Sequence, residues 1–71
     1  MPGGLSMWVV VHMARSQEGA EKARACLARE GVLVRLHPIY RALSQQDNYF
    51  EIQVLQSEVQ EARAILLEHG M

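Results

Sequence analysis

The side chains here that could carry chemistry are few, and none stands beside a residue that would activate it. His12, His37 and His69 are the only histidines. None has a second ligand four positions away, the spacing that sets two ligands on one helical face, and they fall on different elements, so no metal is expected. Cys26 is the only cysteine. A nucleophilic thiol needs a lowered pKa and a base at hand. Cys26 instead sits late in a helical pattern beside its apolar stripe, where cysteine behaves as a small hydrophobe. Lys22, the only lysine, belongs to an outward helical face with Glu18 four residues earlier in the favourable orientation. Glu58 and Glu61 fall in the first turn of a helix, where they complement its dipole. Gly3-Gly4 has no strand before it and no lysine after it, so it is no phosphate loop. With no nucleophile–base pair, the chain reads as a non-enzyme with no catalytic residue, metal or cofactor.

What remains is contact chemistry. Trp8 is either a sheet-face anchor or an exposed aromatic at an interface, where tryptophan is enriched. Val10 and His12 share its strand. Tyr40 and Tyr49 bracket a polar loop that could contribute to the same surface. Trp8, Val10, His12, Tyr40 and Tyr49 are therefore the candidate interaction residues. Stacking of RNA bases is disfavoured, because the aromatic–glycine signature of RNA-recognition sheets is missing and the net charge is −1.

The elements that must position these residues follow from periodicity. Met7–Met13 is an expected strand, rich in aromatic and β-branched residues. It is apolar at odd and even positions alike, which predicts cover on both faces. Ser16 is a good N-cap for a helix over 17–30, with Ala20, Ala23 and Leu27 on the inner stripe and Gly31 as the C-terminal stop. Val32–Leu36 alternates as a second strand; Pro38 either ends it or sits where no ladder bond is needed, in which case Ile39 and Tyr40 extend it. Arg41–Asn48 reads as the one substantial loop. Tyr49–Leu55 alternates cleanly, with Phe50, Ile52 and Val54 on one face. Ser57-Glu58-Val59-Gln60 fits a capping box for a second helix that runs to about His69 and stops at Gly70. Residues 1–6, with Pro2, Gly3 and Gly4, read as a flexible leader to a single 7–70 domain.

Seventy-one residues make one domain with a thin stability margin, because so short a chain buries only about 60% of its surface. A lone cysteine offers no disulfide, which leaves oligomerisation as the way to add stability. The longest apolar run is too short to span a bilayer, and the absence of an export signal with a lone thiol fits the cytoplasm. Charge is uneven: residues 1–41 carry six basic and three acidic side chains, residues 42–71 one and five, so the two parts stand at +3 and −4.

The order strand, helix, strand, strand, helix predicts an α+β, ferredoxin-like βαββα fold lacking its final strand. Its three-stranded antiparallel-type sheet would have strands one and two flanking strand three, a right-handed crossover, and two helices on one face. The first strand would then be an apolar edge open to pairing. A homodimer through that edge or through the open sheet face is the expected assembly, with another protein as a further partner and no nucleic acid or membrane.

The stretches Trp8–Val11, Leu27–Val34, Tyr49–Val54 and Ser57–Ala62 with Ile65-Leu66 resemble small prokaryotic signal-transducing domains similar to the PII nitrogen-regulatory fold. The resemblance covers most of residues 7–70 and lies in core and capping positions. It implies a regulatory, non-enzymatic role in signal transduction, or a small-ligand sensor of the PII or ACT-like type. The 41–48 loop is short beside the long nucleotide-linked loop of true PII proteins, and the sequence carries no PII modification or nucleotide motif.

Overall fold

The computed structural model describes residues 7–39 and 49–71. The expected leader over 1–6, the loop over 41–48 and Tyr40 lie outside the described residues. The chain is α+β. β1 (Trp8–Ala14) leads to α1 (Gln17–Arg29), β2 (Val34–Ile39), β3 (Tyr49–Leu55), a single 3₁₀ turn (Gln56–Glu58) and α2 (Val59–Glu68). The sheet order is β1-β3-β2, and both pairings are antiparallel. β1 and β2 therefore run in the same direction on either side of β3, joined through α1.

α1 forms where its punctuation says it should. The Ser16 hydroxyl accepts from the Gly19 amide at 3.0 Å, satisfying one of the free donors of the first turn. At the other end Gly31 adopts φ +85°. The Gly31 amide donates to Ala28 and the Val32 amide to Leu27. This pair of bonds closes the helix in a Schellman motif, with Val32 and Leu27 both buried as its apolar contact. The same geometry recurs after α2, where Gly70 sits at φ +78° and the Met71 amide donates to Leu66 at 2.8 Å.

Three expectations need correction. The second strand starts at Val34 rather than Val32, because the Val32 amide is spent on the helix stop, and takes the longer reading by extending to Ile39. It continues through Pro38, which an edge strand tolerates. The capping box does not form: α2 has no side-chain bond at its N-cap. The Gln56 amide donates to the Met7 carbonyl at 2.9 Å. That bond carries the β3–β1 ladder one residue further and leaves Ser57 inside the tight turn. Finally, β1 is not covered on both faces, since Val10 and Met13 remain 39% and 47% exposed.

A bulge explains that last difference. Val10 pairs with Gln53 and His12 with Ile52, so Val11 is an extra residue. The bulge reverses the parity of the strand. Trp8, Val10 and Met13 share one face, while Val9, Val11 and Ala14 share the other. An apolar run that ignores parity thus reads as doubly covered when it is a singly covered strand with an inserted residue.

The core lies between the sheet and the helices. Ala20, Ala23 and Leu27 of α1 and Ala62, Ile65 and Leu66 of α2 meet Ile52 and Val54 of β3 in one cluster completed by Ala14 and Val32. No polar residue is buried among the described ones. The small alanine side chains let helix backbones approach the sheet closely. Both helices cover the face marked by Ile52 and Val54, which leaves the alternate positions of all three strands on the opposite face.

Candidate functional site, the open face of the sheet

The register assembles this face strand by strand. β1 contributes Trp8, Val10 and Met13, β3 contributes Tyr49, Glu51, Gln53 and Leu55, and β2 contributes Arg35, His37 and Ile39. Hence the apolar row lies on β1, the carboxylate at the centre, and the arginine and histidine on β2.

Two sets of contacts organise the polar groups. The Arg35 guanidinium lies 5.6 Å from the centroid of the Trp8 ring. Their strands are separated by β3, so the long arginine side chain crosses the open face to reach the indole. At an exposed site such a stack is worth about 0.5–1 kcal/mol. Beside it, His37 Nδ1 donates to Glu51 Oε1 at 3.1 Å, and Gln53 Nε2 donates to the same oxygen at 2.9 Å. The bond from His37, with that from Gln53, holds the Glu51 carboxyl below its ordinary range against a small opposing effect of burial. Its side chain keeps 21% exposure. Glu51 Oε2 accepts nothing from the described residues.

Of the five residues singled out from sequence, Trp8, Val10 and Tyr49 lie together on this face. His12 does not join them. The bulge sets it opposite Ile52, on the register of the helix-covered side, where it is half-buried. Tyr40 lies outside the described residues. Sequence reasoning missed Arg35, His37, Glu51 and Gln53 as members of the site. The alternation of β3 already put Glu51 and Gln53 on the wetter face, and that of β2 already put Arg35 opposite the core. His37 was hidden by Pro38, which made its position look like a loop.

Elsewhere the polar groups are ordinary. Glu21 pairs with Arg24 at 2.6 Å, both nearly half exposed, a surface pair of small worth. The expected Glu18–Lys22 pair is not formed. Cys26 is a half-buried free thiol. Among the described residues no three His, Cys, Asp or Glu side chains gather, and no helix is long and apolar enough to cross a membrane.

No family model, no curated protein and no solved structure matches this chain. Its functional reading therefore rests on its own residues.

Proposed function

We propose that this chain is a non-enzymatic regulatory or protein-interaction module that acts as a homodimer through its open sheet face, in the cytoplasm. The observation that carries this reading is the exposure of Val10 and Met13 beside half-buried Trp8, on the side of the sheet that neither helix covers. A two-layer domain whose core rests on three fully buried large side chains, Leu27, Ile52 and Val54, gains stability from covering such a surface. The ferredoxin-like reading of the fold fits the strand order and the common face of the helices. The resemblance to PII-like signal-transducing domains fits the absence of paired catalytic groups in the sequence.

Light scattering on a sizing column at micromolar concentration tests the proposal. A dimer that Trp8→Ala weakens while circular dichroism stays native is expected. A clean monomer, with a metabolite that raises the melting temperature by several degrees, would put the small-ligand sensor in its place.

A further inference from the structure

We propose that the open face is occupied by a second copy of this chain, packed face to face about a two-fold axis that sets Arg35 of each copy against Glu51 of the other. This deepens the homodimer reading and rests on it.

The strand edges are poor docking sites. β1 carries the bulge at Val10–His12, which breaks the regular row of amides and carbonyls that an added strand would need. β2 carries Pro38, which has no amide hydrogen. Bulges and prolines are the devices by which sheets discourage edge pairing. The open face has no such obstacle.

The charges on that face are complementary to themselves. Cationic Arg35 and the Glu51 carboxylate lie on neighbouring strands, two residues apart in the register and so diagonal neighbours on the same face. In a two-fold interface any contact between two different positions occurs twice with roles exchanged. One Arg35–Glu51 contact across the axis therefore brings its twin, and each copy supplies one cation and one anion. Both groups have capacity to spare. The Arg35 guanidinium lies over the Trp8 ring, a contact that consumes none of its N–H donors. His37 and Gln53 both bond Oε1 of Glu51, so among the described residues Oε2 has no donor and can take one from across the axis. Trp8, Val10 and Met13 supply the apolar contact beside the pairs.

The size of the face sets the strength. β1 and β3 have seven residues each and β2 six; at about 3.3 Å per residue and about 4.8 Å between strands they project to roughly 320 Å² per copy. Side-chain relief enlarges this, yet the interface stays at the small end for specific complexes. Reversible, concentration-dependent association is the expected behaviour.

The test is a charge swap read by sedimentation equilibrium. Arg35→Glu alone and Glu51→Arg alone should each weaken self-association at least tenfold, because each sets like charges together twice. Mixed in equal parts, the two variants should associate within a few-fold of the wild type, because both cross-axis pairs are then opposite in sign. The isosteric Glu51→Gln should by itself weaken association several-fold, so the pairing is tested even if a reversal variant misfolds. A wild-type dimer that these changes leave unaltered, or a mixture as weak as its parts, overturns the arrangement while the homodimer reading stands. A wild type that is monomeric throughout overturns both.

Discussion

Along β3, neighbouring residues live in opposite surroundings. Ile52 and Val54 are fully buried beneath the helices, whereas Glu51 and Gln53 between and before them line the open face and bond to each other. The helix-covered face is closely packed: apart from half-buried His12 its side chains are apolar, and small where backbones approach. The open face mixes a half-buried tryptophan, two exposed aliphatic side chains and a linked set of polar groups. The contrast separates two tasks. One face holds the monomer together, and the other is the surface we propose a second copy covers.

Substitutions on the two faces should therefore fail in different ways. The largest effect is expected at Ile52, where Ile52→Ala should cost about 2–5 kcal/mol in urea denaturation through lost burial and a residual cavity. Val10→Asp, one strand away on the open face, should leave the stability of the dilute protein within about 0.5 kcal/mol of wild type while abolishing association. Equal losses of folding stability at both positions would erase the distinction between the faces.

Gly31→Ala comes next. Gly31 sits at φ +85° with open space where a Cβ would point, so the penalty is backbone strain alone, about 1–2 kcal/mol. Repacking cannot relieve it. An unchanged melting temperature would mean that the Schellman turn does not anchor the helix to β2.

The serines that open the two helices sharpen the picture at smaller scale. Ser16→Ala should cost about 1 kcal/mol, since its hydroxyl caps Gly19. Ser57→Ala should change stability by less than about 0.5 kcal/mol, since it caps nothing. Comparable losses at the two would mean that the capping box forms in solution.

The smallest effect concerns acid. Glu51 is held below its ordinary carboxylate range in the folded chain. A group so depressed adds stability above its unfolded pKa and loses it as pH falls through the folded one. From about pH 4.5 downward, the wild type should therefore lose stability slightly faster than Glu51→Gln. Thermal melts of the two at a series of acidic pH values check this, and parallel curves would remove the carboxylate from the account.

Much of the fold was legible because it is written in local rules. The clean alternation of Tyr49–Leu55 gave β3 and its faces, and serine and glycine punctuation gave the limits of α1. The composition of the strands and their order led to the β1-β3-β2 sheet. What escaped was decided by long-range pairing. Nothing local marks Val11 as an inserted residue, so the parity change in β1 and the placement of His12 could not be seen. The serine–glutamine pattern at 57–60 is a true capping signal, overridden by the bond between Gln56 and Met7. The site was half legible for the same reason. Trp8, Val10 and Tyr49 are apolar or aromatic in a strand context, which drew notice. Arg35, His37, Glu51 and Gln53 gain meaning only through neighbours on other strands.

The central claim is that a second copy covers the open face, and an isotope-filtered NOESY on an equal mixture of labelled and unlabelled chains tests it most directly. Intermolecular contacts should arise from the methyl groups of Val10 and Met13 and from the Trp8 ring, while those of Ile52 and Val54 stay intramolecular. Intermolecular contacts confined to the outer edges of β1 or β2, or none at concentrations where light scattering reports a dimer, would contradict it.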